Sequence, residues 1–230
     1  MRFEEAEELK KPFFSVIMTA NNAEKYIRKG LQAIRDQAFT DYELIVVADS
    51  CTDGTADAAR EFTDLVFCTD FHSCGGARNT GLDKATGDWV LWADDDDWYL
   101  PGAFGMIAEE IGKHAEIDIL AYGFEWKHRG IALQNWGRKY PAVWNKAWRR
   151  DFIGDKRFPV WCHTEDVEFN RKVLPGAWWV FLPVALYHYE FMRPGSVSDR
   201  IRNGEFDNST IPESCRGAAE GYERWLKEKY

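Results

Sequence analysis

The sequence predicts an α/β protein, a mainly parallel Rossmann-like sheet with helices on both faces. Three observations lead there. From residue 13 to about residue 125, short β-rich apolar runs alternate with segments of helical spacing, the pattern of consecutive βα units. Three of those runs end at Thr19, at Asp49 and in the cluster Asp94–Asp97, which a parallel sheet brings to one edge. The chain has 230 residues, 45% of them hydrophobic, enough for the core of one large domain.

Phe13–Thr19 reads as the first strand. Asn21 followed by Glu24 resembles a capping box, and Tyr26, Ile27, Leu31 and Ile34 keep helical spacing to about Gln37. Tyr42–Val47 is a continuous apolar strand leading to Asp49. Thr52-Asp53-Gly54-Thr55 then opens a helix to about Phe62, and Leu65–Thr69 makes a third strand. Gly75-Gly76 precedes a helix that Gly87 closes, because glycine suits the left-handed backbone at helix C-termini. A strand follows at 88–93, Pro101 opens another helix, and Ile117–Phe124 is a further strand. Beyond residue 125 the alternation weakens into a Trp-rich basic stretch. A helix at about 164–174, apolar segments at 177–189 and a polar tail with an amphipathic helix near 213–228 complete the chain. The expected division is one domain over 1–200, with halves at 13–125 and 126–200, and a helical tail over 201–230.

The net charge of −9 argues against a nucleic-acid binder, which would carry a basic footprint. Residues 1–115 hold 11 Lys/Arg against 22 Asp/Glu, whereas 126–157 hold nine basic residues against Asp151 and Asp155, a local balance of +7. An acidic half beside a basic stretch suits an anionic, metal-bound substrate; a solvated basic face explains the same charges more plainly. The five cysteines (Cys51, Cys68, Cys74, Cys162, Cys215) are odd in number and lack paired zinc spacing, as expected of free thiols in a reducing compartment. The N-terminus is too charged for a secretory leader and no apolar run approaches a membrane span, so the expected location is cytoplasmic.

The most informative segment is 89–101, where an apolar strand runs into Asp94, Asp95, Asp96 and Asp97 and then into Pro101. Four carboxylates fixed at a sheet edge repel one another and call for a cation. Hard oxygen donors of this kind suit Mg²⁺ or Mn²⁺ shared with substrate phosphates, and their repulsion raises some of their pKa values until the ion arrives.

With these elements placed, the chain resembles a family 2 glycosyltransferase of the GT-A fold, the type found in bacterial capsule, O-antigen and exopolysaccharide assembly. Five blocks carry the resemblance in order: Ser15–Thr19 with Asn22; Glu43–Val47 with Asp49 and Thr52-Asp53-Gly54-Thr55; Ala77–Leu82; Asp94–Asp97; and Thr164–Phe169. Trp144-Asn145-Lys146 and Arg193–Ser198 match segments common in the same group. Two positions depart from the pattern. Asn21 stands where the family commonly has a base-stacking Tyr, and Ala48 precedes Asp49 where two successive Asp are usual.

The resemblance implies an inverting, metal-dependent transferase that moves a sugar from a UDP-sugar to a glycan or lipid-linked acceptor, with Mn²⁺ or Mg²⁺ as cofactor. Asp96 and Asp94 are the implied metal ligands. Asp95 and Asp97 would orient metal-bound water or sugar hydroxyls. Thr19, Asn21, Asp49, Arg78 and Lys146 would join Asp94 and Asp95 in holding the nucleotide sugar, with Arg78 or Lys146 adding positive charge at the departing phosphate. The base that deprotonates the acceptor would be Asp166, in the first turn of a helix capped by Thr164, where the helix dipole favours its ionised form. Glu165 is the second candidate. His188 is either a late metal ligand, as in some related enzymes, or a satisfied core histidine. Trp126, Trp136, Trp144, Trp148 and Trp161 could supply sugar-stacking platforms or pack the core. The basic stretch adds an expected contact with the diphosphate or, peripherally, with the inner face of the membrane.

Two other classes share much of this pattern. One is a non-catalytic nucleotide-sugar-binding protein, against which the intact Asp94–Asp97 and Asp166 count. The other is a nucleotidyltransferase, which usually opens with a Gly-rich phosphate loop after its first strand; Thr19-Ala20-Asn21-Asn22 contains no glycine.

Overall fold

The computed structural model describes residues 11–126, 130–132, 142–160 and 164–190, with single positions between 193 and 203. The expected tail helix near 213–228, together with Trp136, Trp161, Cys162, His163 and Cys215, lies outside the described residues.

The first half is the expected parallel sheet. Strands β1 (Phe14–Ala20), β2 (Tyr42–Asp49), β3 (Val66–Thr69) and β4 (Trp89–Asp94) lie in the order β3-β2-β1-β4, all parallel. Every residue of β1 is buried, which is why its sequence is a continuous apolar run rather than an alternating one. Around this sheet run α1 (Ile27–Arg35), α2 (Thr55–Arg60), α3 (Cys74–Lys84) and α4 (Ala103–Lys113).

The second half departs from the mainly parallel expectation. It contributes β5 (Trp98–Tyr99), β6 (Ile119–Trp126), β7 (Gly130–Ala132), β8 (Lys146–Arg149) and β9 (Trp179–Tyr189), with α5 (Arg150–Ile153) and α6 (Glu165–Val173). The order continues β4-β8-β6-β9-β5, with β7 also on β6. Strand β8 lies antiparallel between β4 and β6, and β5 antiparallel to β9. Because two antiparallel steps restore direction, β4, β6 and β9 all point the same way. The carboxyl ends of β1, β2, β4, β6 and β9 therefore open on one edge.

Local differences have local causes. Helix α1 begins at Ile27, with Tyr26 at its N-cap and no side-chain cap bond. The expected capping pair is engaged elsewhere: Asn21 Nδ2 donates to the Asp49 carbonyl at 2.7 Å, and Glu24 Oε2 accepts from the Gly54 amide at 3.2 Å. These contacts join the loops after β1 and β2. Gly75 and Gly76 lie inside α3, whose N-cap is Ser73, its Oγ accepting from the Gly76 amide at 3.2 Å. Gly87 is not a helix cap; a Cβ there would stand 2.6 Å from the Ser15 nitrogen, so it permits close approach to β1.

Candidate active site at the carboxyl edge of the sheet

Strand register brings the first residues together. Thr19 on β1 is level with Asp94 on β4 and with Val47 on β2, two residues before Asp49. The Asp49 carboxylate is buried and accepts three hydrogen bonds from the segment after β3: Thr69 hydroxyl at 2.8 Å, Phe71 amide at 2.7 Å and Ser73 amide at 2.9 Å. It fixes the lip of the crevice leading into α3. Asn21 lies across the same ground, its side chain on the Asp49 carbonyl and its amide donating to Asp95 Oδ2 at 3.1 Å.

The acidic cluster is divided by a tight turn in which the Asp97 amide donates to the Asp94 carbonyl at 3.2 Å. Asp94, Asp95 and Asp96 remain at the edge, partly exposed. Asp97 turns inward to 0% exposure, where Oδ1 accepts from the Glu190 amide at 2.8 Å and Oδ2 has no hydrogen-bond partner. Burial and the charges of Asp96 and Asp94 hold its carboxyl well above the usual range. Asp97 therefore lies in the interior, tied to the Glu190 backbone, and not at the edge where the expected contact with sugar hydroxyls would be made. Burial likewise raises Asp96, and raises Asp95 to about 8 with help from the Asp96 charge.

The repulsion within this cluster is met by two arginines of the chain itself. Arg78 is buried; its Nη2 donates to Asp94 Oδ1 at 2.9 Å and its Nη1 to Glu165 Oε1. It acts as a strut between β4 and the start of α6 rather than as a free phosphate-binding cation. Arg193 Nε donates to Asp96 Oδ2 at 2.6 Å, and its Nη2 lies 3.8 Å from Asp95 Oδ1. Sequence reasoning gave Arg193 no role. It stands 97 positions from Asp96, and no local pattern signals a pairing made only by the fold.

Helix α6 presents Glu165 and Asp166. Glu165 is buried against Arg78, while Asp166 is half-buried, its Oδ1 accepting from the Val167 amide at 2.8 Å. Thr164 holds the N-cap position but makes no side-chain cap bond. Contrary to the expected ionised form, the Asp166 carboxyl is pushed up to about 7. Loss of solvent and the Glu165 charge outweigh Arg78 and the Val167 amide.

Lys146 is engaged by the chain's own acceptors. It is fully buried, donating to the Ala142 carbonyl at 2.6 Å and to Asn145 Oδ1 at 2.8 Å. Burial lowers its ammonium to about 7, against the opposing pull of Asp166. His188 has Nδ1 2.6 Å from Glu125 and Nε2 3.4 Å from Glu190, and its ring stacks on Trp98 with centroids 3.6 Å apart. Both ring nitrogens thus face carboxylates, and metal ligation would break one of those contacts. Trp126, Trp144 and Trp148 are buried packing residues, not sugar platforms.

The resemblance implies a divalent cation, and the donor set bears on which kind would fit. Among the described residues no three His, Cys, Asp or Glu side chains converge to cage an ion. Two or three carboxylates at an open edge fit Mg²⁺ or Mn²⁺ that completes its shell with water and phosphate oxygens.

The comparisons with known proteins agree with this geometry. The chain is 26% identical over 233 residues to the putative glycosyltransferase EpsH of Bacillus subtilis (strain 168), covering 86% of this chain and 66% of that protein. It is 35% identical over 218 residues to the glycosyltransferase GlyA of Streptococcus pneumoniae serotype 4, covering 80% of this chain and 31% of that one. It therefore spans just under two thirds of the first relative's length and under a third of the second's. The crystal structure of S. aureus TarS 1–349 in complex with UDP superposes with a TM-score of 0.70 at 25% identity, over 90% of this chain and 69% of that one. The fold is that of the GT-A glycosyltransferases. Residues 15–163, from β1 through the acidic cluster to the threshold of α6, match the profile of glycosyl transferase family 2, and the chain belongs to that family.

Proposed function

We propose that this site transfers a sugar from a UDP-sugar to a glycan or lipid-linked acceptor in cell-surface polysaccharide synthesis, with inversion at the anomeric carbon. The observation that carries the reading is the Arg78 strut. It ties the acidic donor edge at Asp94 to the N-terminus of α6, so that donor and acceptor groups share one crevice.

On this reading Asp166 accepts the proton of the acceptor hydroxyl as that hydroxyl attacks the anomeric carbon opposite the departing diphosphate. A carboxyl near 7 is matched to that task at neutral pH. Glu165, already engaged by Arg78, positions the strut instead. Asp96 and Asp94 are the residues to hold Mg²⁺ or Mn²⁺, which when bound neutralises charge on the leaving phosphate. Asp95 and Asn21, joined by a hydrogen bond, face the sugar and nucleoside, and Asp49 shapes the wall beside them. The UDP bound to TarS supports uridine as the base. The lipid-linked acceptor would be met at a membrane surface through the basic stretch; no helix among the described residues is long and apolar enough to cross one.

Titration calorimetry of UDP with Mn²⁺ and with chelator tests the donor side. Wild type should bind UDP more tightly with the ion, and Asp96→Ala should lose that gain. Equal affinity in all four conditions would refute the metal-assisted donor site. A panel of nucleotide sugars assayed for metal-dependent transfer or hydrolysis then identifies the sugar.

A further inference from the structure

Arg193 plays no part in the chemistry above, yet it holds Asp96, one of the two carboxylates assigned to the cation. Its Nε bonds Asp96 Oδ2 at 2.6 Å, its Nη2 lies 3.8 Å from Asp95 Oδ1, and its guanidinium sits 4.3 Å above the Tyr26 ring. The three side chains are shielded to a similar degree, 18% exposed for Arg193, 15% for Asp95 and 13% for Asp96. Arg78 differs: it is 5% exposed and locked between Asp94 and Glu165, so it is not available to leave.

A guanidinium and a divalent ion on one carboxylate compete for the same oxygen lone pairs and repel each other at short range. We propose that Arg193 is the resident counter-ion of the Asp95–Asp96 pair, that an incoming divalent cation displaces it, and that Arg193 thereby sets the cation affinity of the site. The proposal rests on the reading that Asp96 holds the cation. Tyr26 gives the released guanidinium a second partner, because a ring face attracts a cation without competing for the carboxylates. In this role Arg193 is a positioning residue. It holds the acidic edge together without metal, and exchanges with the ion when the site loads.

The test is a Mn²⁺ titration of the full chain without UDP, with free Mn²⁺ read by electron paramagnetic resonance. Arg193→Ala should bind Mn²⁺ about tenfold or more tightly than wild type, within the usual span of a coupling between two ligands. Arg193→Lys, a weaker and less directional partner, should fall between them. Asp96→Ala should lose the binding in either background. Unchanged or weaker Mn²⁺ binding in Arg193→Ala, with Asp96→Ala still abolishing it, overturns the exchange while leaving the metal site standing. Mn²⁺ binding indifferent to Asp96→Ala overturns both. Thermal unfolding checks that each variant folds; if Arg193→Ala does not, Arg193→Gln removes the charge while keeping a donor, and the same outcomes decide.

Discussion

Asp166 and Glu165 are neighbours in the first turn of α6 with opposite fates. The helix dipole acts on both, so the sequence could not rank them by that argument. Arg78 does: it takes Glu165 and leaves Asp166 with a carboxyl at about 7. Asp166 should therefore be protonated and inactive below about 7, and kcat/KM should rise through that pH and then level. Asp166→Asn should lower kcat at least ~10²-fold, remove that limb and spare UDP binding. Near-normal turnover in the variant would move the base elsewhere. The same shift has a stability sign. Between the ordinary carboxylate value of 3.8 and about 7, the native state keeps a proton that the unfolded chain has released. The contribution of Asp166 to stability thus falls as pH rises across that window. Asp97 shows the limit of reading a cluster by adjacency: one peptide unit beyond Asp96, it is fully buried.

At the scale of elements, the site depends on how closely α3 can approach α6. A Cβ on Gly75 would collide with the Pro159 carbonyl oxygen and reach 3.4 Å from Glu165 Cβ. That proximity lets Arg78, one turn further along α3, meet Glu165. Gly75→Ala should therefore destabilise the fold by roughly 1–3 kcal/mol through overpacking, and should lower activity by spreading the Arg78–Glu165 contact. Gly112→Ala in α4, where nothing lies within 4 Å of the new Cβ, is the matched control. It should be neutral or up to about 1 kcal/mol stabilising from helix propensity alone. Denaturant melts of the two variants give the comparison; equal stabilities would mean that α3 and α6 yield easily.

Across the whole molecule, the fold engages several of the basic residues counted in the +7 over 126–157. Lys146 is buried, Arg149 donates to the Ala115 and Ile117 carbonyls, Arg150 to the Gly87 carbonyl, and Arg157 pairs with Asp83. The remaining basic residues of the stretch are Lys156 and, outside the described residues, Lys127, Arg129, Arg138 and Lys139. If the lipid-linked acceptor is met electrostatically, anionic vesicles should co-sediment the protein at low salt and release it at high salt, at ~1 kcal/mol per basic residue at the surface. Neutralising Lys127, Arg129, Arg138 and Lys139 together should abolish that binding. Indifference to anionic vesicles even at low salt would leave these residues as a solvated face.

The sequence by itself determined the parallel half of the fold and the edge on which the site forms. Continuous apolar runs specify doubly buried strands, and the polar residues ending them travel with the strands to one side. The five ordered blocks likewise identified the family. Strands β5, β7 and β8 were not legible, because two to four residues are too few to show a period. Only the tertiary structure decided which charges meet. Arg78 with Glu165, Arg193 with Asp96 and His188 with Glu125 are separated by 87, 97 and 63 positions. Such pairings carry no local signature, since charge attraction acts through the space that the fold creates and not along the chain.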